Sequence, residues 1–336
     1  MYTVFSRSLL ALVTAFAVAA VICPALIPMF FSLSEGKKYK RMSLRTQLRG
    51  GFSPAMGGIA ILFAVVVSTI LWGRDSYSFV LVALLMAGSF TLVGFIDDFL
   101  RTVGLRAEGI KPWQMLIIQA VLCLGFAIWL YNLESVRSTV WADKIEMGIF
   151  YIPYAMLVML VCLNAVSLTD SFAGLSCTVT SIYALFMAAL LCMTVISATS
   201  YAQYQLLLDQ SALSVFAMAL AGGCMGFLIF NLPPSRISLG RTGTHMLGGA
   251  IAAIALMSRT TLLLPLMGLC FTVSVIKTVW IAVSRIIHKR KQEAEHALPH
   301  EQLKERGLPE SKIVSIYGIT TAICSAAALL IHWFIK

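Results

Sequence analysis

Residues 79–99 read FVLVALLMAGSFTLVGFIDDF, a charge-free apolar run through Ile96 that ends on two adjacent acids, Asp97 and Asp98. As a helix rising 1.5 Å per residue, the run from Phe79 to Ile96 covers about 27 Å, close to the hydrocarbon thickness of a bilayer. Acids at the end of such a segment need a cation or a water-filled cavity. Two neighbouring carboxylates diverge by about 100° on a helix, so one can face a metal or a phosphate while the other meets a neighbouring helix.

The rest of the chain resembles this run. Of 336 residues 59% are hydrophobic and only 12% charged, with a mean hydropathy of +0.88. An ordinary soluble domain carries about twice that charged fraction, so composition excludes one and points to an all-α polytopic membrane protein. Apolar runs fall near 8–31, 56–72, 79–96, 114–131, 150–166, 178–197, 213–232, 245–258, 261–286 and 313–334, about ten transmembrane helices in one integral membrane domain over 1–336. The first run is longer than a signal-peptide core and lacks a convincing cleavage site, so it is expected to be retained. The eight cysteines lie in or beside apolar runs without a C-x-x-C pair, which argues for packing rather than disulfides or zinc.

The net charge is +10, and its placement sets an expected topology. Alternate loops near 32–55, 99–113, 167–177, 233–244 and 287–312, with Arg285 beside the last, hold 18 of the 25 Lys and Arg residues. The positive-inside rule puts these loops in the cytoplasm and both termini outside. Asp97, Asp98 and Asp170 then sit at the cytoplasmic face. The basic stretches around Lys37–Arg41 and His288–Lys291 are suited to anionic lipid headgroups and to an anionic substrate. His296 and His300 have a metal-ligand spacing, but Pro299 between them disfavours a regular helix there. The stretch 132–148 is expected to be an external hairpin, and Lys277, inside an apolar run, either snorkels to the surface or pairs with an acid.

Two further segments carry polar text. Asn164-Ala165-Val166-Ser167-Leu168-Thr169-Asp170 interrupts the apolar pattern, and Asn231-Leu232-Pro233-Pro234 leads to Gly240-Arg241-Thr242-Gly243-Thr244 ahead of another apolar run. A glycine-containing turn at a helix start presents backbone N–H groups suited to phosphate, although tight packing alone explains it equally well.

In order along the chain, Gly51–Gly58, Gly94–Phe99, Asn164–Asp170, Gly226–Asn231 and Leu308–Val314 resemble the motifs of the phospho-N-acetylmuramoyl-pentapeptide transferase (MraY) family of polyprenyl-phosphate N-acetylhexosamine-1-phosphate transferases. The resemblance implies transfer of a phospho-sugar, phospho-N-acetylmuramoyl-pentapeptide or a related phospho-N-acetylhexosamine, from a UDP-linked amino sugar to undecaprenyl phosphate. The setting it implies is envelope glycan synthesis at the cytoplasmic face of a bacterial inner membrane. It further implies Mg2+ as cofactor, Asp97 and Asp98 as catalytic and metal-assisting residues, substrate contacts from Asn164, Asp170 and Asn231, membrane lipids as surroundings and a homodimer. No nucleic-acid partner is expected.

The pattern breaks where it matters most. The family carries Gly-Asp-x-Gly-Ser, and this chain has Gly240-Arg241-Thr242-Gly243-Thr244: a guanidinium, with no lone pair for a metal, stands in place of an acid. A second family acid is Ala173 here, and the family's three-histidine cluster is reduced to His300-Glu301-Gln302. A family lysine falls at Trp113 or Met115, with Lys111 nearby as its substitute. Arg241 is therefore read either as a cation gripping substrate phosphate or as a replacement for the metal, paired with Asp97, Asp98 or Asp170. An active transferase and a degenerate paralogue that binds lipid phosphate, nucleotide or a partner transferase without turnover both remain open. A transporter with an acidic ion site explains neither the motif order nor the clustering of its acids.

Overall fold

The structure, a computed structural model, describes residues 2–34, 54–103, 108–133, 136, 147–197, 204–288 and 298–335. Every apolar run is helical: α1 (Tyr2–Ser34), α2 (Gly58–Trp72), α3 (Tyr77–Thr102), α4 (Pro112–Asn132), α5 (Tyr151–Thr169), α6 (Leu175–Ser197), α7 (Tyr204–Asn231) and α8 (Gly240–Met257). There follow the short α9 (Leu264–Met267), α10 (Leu269–His288), α11 (Pro299–Glu305) and α12 (Glu310–Ile335). The protein is an all-helical polytopic membrane protein. Among the described residues seven helices are long and apolar enough to cross a bilayer, or eight if one bent pair is a single span.

That bent pair is the run expected as one span over 261–286. Thr261–Met267 and Leu269–Ile281 meet at 87° across Gly268. The helix carrying Asp97 and Asp98 continues to Thr102, so the acids lie in its last turns, near its C-terminal end. One other reading changes. Pro299 occupies the first turn of α11, where its missing N–H costs nothing, and so starts that helix instead of interrupting one. His296 and most of 132–148 lie outside the described residues.

Inside a bilayer, close backbone approach and interhelical hydrogen bonds replace the hydrophobic effect as the glue between helices. Ala11, Ala15, Ala19 and Cys23, four residues apart and fully buried, line the face of α1 that meets α7. Gly222 of α7 lies against the Leu12 carbonyl and Gly226 against the Phe16 carbonyl, so a methyl group at either would collide with backbone. Polar pairs add Ser8 to Ser214 at 2.9 Å, Thr14 to Ser68 at 2.8 Å and Thr169 to Ser274 at 3.1 Å. Such bonds contribute about 0.6 kcal/mol each in a membrane.

At the centre stands α8. Every residue from Thr242 to Met257 is buried, enclosed chiefly by α3 and α5, with α2, α6 and α7 around them. Its first turn abuts the last turns of α3, which brings the unusual Gly240–Thr244 segment to Asp97 and Asp98.

Candidate functional site

Asp98 is spent on α8. Its Oδ1 accepts the Arg241 N–H at 3.2 Å, and its Oδ2 accepts the Thr242 N–H at 2.8 Å and the Thr242 hydroxyl at 2.6 Å. The residue at the N-cap, Leu239, has no side-chain oxygen, so a carboxylate on another helix performs the capping that Ser or Asp ordinarily performs locally. Gly240 makes this possible: its φ is +67°, and a Cβ there would crowd Asp98 Oδ2.

Asp97 points the other way and is fully buried. Its Oδ1 accepts the Ile110 N–H at 2.6 Å, while Oδ2 lies 3.0 Å from Arg101 Nε and 3.3 Å from Arg241 Nε. Oδ2 makes no aligned hydrogen bond, so both guanidiniums hold it by charge alone. Gly109, at φ +68°, lets the loop before α4 close over this group, since a Cβ there would collide with both Asp97 and Arg101. A cation at the second position of a helix opposes the helix dipole, and Asp97 offsets that cost for Arg241.

A hydrogen-bond chain anchors the same turn from α4 and α5. Asn164 Nδ2 donates to the Leu160 carbonyl at 2.8 Å and to Gln119 Oε1 at 3.2 Å, which fixes the orientation of both amides. Gln119 Nε2 therefore donates to His245 Nε2 at 2.8 Å, and His245 must carry its proton on Nδ1, where it donates to the Arg241 carbonyl at 3.0 Å. Asn164 thus reaches Arg241 through two intermediaries.

Of the remaining candidates, Asp170 and His300 are brought close through Ser171 in the turn after α5. Asp170, half-buried, follows α5, and burial pushes its carboxyl up to about 7, with nearby Asp98 adding to the rise and the Ser176 hydroxyl opposing it. Next to it, Ser171 Oγ is 2.9 Å from Nε2 of the fully buried His300, whose ring meets Phe172 and Tyr317 edge-on. Burial above all pulls the His300 imidazole below its ordinary value; Glu301 opposes this and Lys277 reinforces it. Among the described residues Lys277 has no acid partner, so it sits half-buried on α10 without the pairing weighed for it. Asn231 is turned inward, its Nδ2 donating to the Ile237 carbonyl at 2.9 Å to brace the turn that leads into α8. Lys111 is exposed beside Ile110, whose N–H holds Asp97.

A divalent metal does not fit this arrangement. Both oxygens of Asp98 are filled by N–H and O–H donors, the open oxygen of Asp97 is flanked by two guanidiniums, and no group of three or more His, Cys, Asp or Glu among the described residues could hold an ion. Arg101, Gln119 and His245 escaped the sequence reading. The i, i+4 spacing from Asp97 is the signal for Arg101, and a histidine opening an apolar run is the signal for His245.

The glycosyl transferase family 4 model matches residues 79–259, which hold Asp97, Asp98, Arg101, Asp170 and Arg241 but not Lys277, His300 or Tyr317. Over nearly the whole length the chain is similar to proteins named phospho-N-acetylmuramoyl-pentapeptide-transferase. That of Clostridium perfringens (strain SM101 / Type A) is 30% identical over 320 residues, 94% of each chain. That of Clostridioides difficile (strain 630) is 30% identical, covering 94% of this chain and 95% of its own. That of Moorella thermoacetica is 31% identical over 322 residues, 95% of this chain and 96% of its own. The helical frame, the five motifs in order and this full-length similarity place the chain in glycosyl transferase family 4, as a member of the phospho-N-acetylmuramoyl-pentapeptide transferase family.

Proposed function

We propose that the chain moves a phospho-N-acetylhexosamine, such as phospho-N-acetylmuramoyl-pentapeptide, from a UDP-linked N-acetylhexosamine to a polyprenyl phosphate at the cytoplasmic face of a bacterial inner membrane. The reaction would join a lipid phosphate oxygen to the sugar-linked phosphorus and break that phosphorus–oxygen bond to UMP. The observation that carries this reading is full-length similarity combined with the gathering of Asp97, Asp98, Asp170, Asn164, Asn231 and His300 at one end of the bundle. Phosphoryl transfer depends mainly on positioning and charge neutralisation, which rigid helix ends supply. The apolar pocket beside the bend, lined by Val166, Tyr183 and Phe271 among others, offers the prenyl chain a place next to α5. Asp170, just past the end of α5, is raised by burial to about 7, which suits it to exchange a proton near neutrality.

A second reading, binding without turnover, is favoured by the pairing of Arg241 with Asp97. The test is UMP release from UDP-N-acetylmuramoyl-pentapeptide and undecaprenyl phosphate by the full chain with Mg2+. Transfer predicts release that Asp97→Asn abolishes. Absence of release in a folded preparation that still retains undecaprenyl phosphate would establish the binding role.

A further inference from the structure

Two guanidiniums converge on one carboxylate oxygen, and neither is used up by it. Arg101 Nε and Arg241 Nε lie 3.0 and 3.3 Å from the same Asp97 Oδ2, so the two guanidiniums are close enough for one phosphate to reach the outer N–H groups of both. Among the described residues the remaining N–H groups of both side chains have no protein partner, and the side chains are 38% and 34% exposed. Asp97 beneath them is sealed, so the open side of the pair is its cationic side.

The charge balance points the same way. Asp98 is matched by the N-terminus of α8, which leaves one buried carboxylate against two guanidiniums, a net positive site. The backbone beneath is fixed from three sides: Gly109 over Asp97, Asp98 on the first turn of α8, and the Asn164–Gln119–His245 chain on the Arg241 carbonyl. Guanidinium forks match phosphate oxygens in geometry, and this pair is already assembled.

We infer that Arg101 and Arg241, held together by Asp97, form a receptor for the phosphate group of a lipid or nucleotide phosphoester that works without a divalent metal. This rests on the substrate class proposed above and deepens it, naming which residues replace the ion. The shared ligand chemistry is a terminal phosphate; its source is either the polyprenyl headgroup or the nucleotide.

The experiment measures binding of undecaprenyl phosphate and, separately, of UMP to the full chain in nanodiscs, in EDTA and in Mg2+, with thermal unfolding followed alongside. The expected result is that at least one probe binds equally well in both conditions and that Arg241→Gln or Arg101→Gln weakens it by about tenfold to a hundredfold without loss of the folded state. Arg241→Lys, which keeps the charge but not the fork, is expected to recover only part of the affinity. Weakening confined to undecaprenyl phosphate assigns the lipid headgroup, and weakening confined to UMP assigns the nucleotide. Binding that needs Mg2+, or that ignores both arginines, overturns the receptor and leaves the proposed substrates standing. Should a variant fail to fold, the comparison of EDTA with Mg2+ on the native chain still decides. Failure of the native chain to bind either probe under both conditions removes the proposed function as well.

Discussion

Helix α3 has an ionic cluster at each end, about 33 Å apart by helix rise. Just before it, Asp75 receives Arg7 of α1 on one oxygen and the Ser211 hydroxyl of α7, at 2.6 Å, on the other. Near its end, Asp97 receives a backbone N–H on one oxygen and two guanidiniums on the other. The first cluster is balanced, one acid for one cation with each oxygen engaged, and it fastens α1 and α7 to the mouth of the bundle. The second has a surplus cation and open donors. A saturated ion pair is a fastener; an ion pair with donors to spare is also a place to bind.

The largest test of that contrast is Asp98→Ala, which strips three hydrogen bonds from the buried start of α8. A loss of about 3 kcal/mol is expected in denaturant or detergent unfolding, together with loss of binding of whichever phosphate probe the native chain takes, because the Arg241 turn is no longer held. A smaller loss with binding intact would mean that the site does not depend on the cap.

Next comes a pH effect at the same end of the bundle. Because burial raises Asp170 in the folded chain, between the ordinary value of 3.8 and about 7 the native state keeps a proton that the unfolded state has released. Stability therefore falls as pH rises through that window and levels off above it, and Asp170→Asn flattens the curve. Unfolding midpoints measured across the range check this, and a rising curve would contradict the assignment.

At the opposite end, Asp75→Asn is expected to cost about 1 kcal/mol, since Arg7 is partly exposed and its ion pair is screened by solvent. Binding of undecaprenyl phosphate or UMP should not change, and a change would erase the distinction between fastener and receptor. The smallest effect belongs to Lys304→Ala. Its 2.7 Å pair with Glu310 is largely exposed, so a loss below about 0.5 kcal/mol is expected in the same unfolding assay.

The helices were legible because hydropathy marks a membrane segment directly. The bend across Gly268 was not, since 261–286 reads as one apolar run in which Pro265 and Gly268 stand without any polar interruption. For the site, the sequence supplied the acids and the oddity of Arg241, and it allowed Arg241 to pair with Asp97. What it could not supply was the division of labour within the acid pair. Asp98 meets its partner Thr242 at a sequence separation of 144, and nothing local distinguishes a capping carboxylate from a catalytic one. Arg101 was hidden for a related reason. Its spacing from Asp97 carries meaning only once α3 is known to run on to Thr102, beyond the apolar text. His245 passed as the first residue of an apolar run, although it fixes the backbone of Arg241.

The enclosure of α8 has a consequence for how the protein responds to its bilayer. From Thr242 onward this helix presents no face to acyl chains, whereas α1, α4 and α12 expose long apolar side chains such as Val21, Val121 and Phe334. A change in bilayer thickness acts on helices that touch lipid, tilting them to relieve hydrophobic mismatch. The first turn of α8 is shielded from that force by a ring of neighbours. Arg241 should then keep its place in membranes of differing chain length, whereas Arg101 stands on α3, whose exposed Leu81, Leu92 and Ile96 touch lipid, and is the member of the pair that bilayer thickness can move.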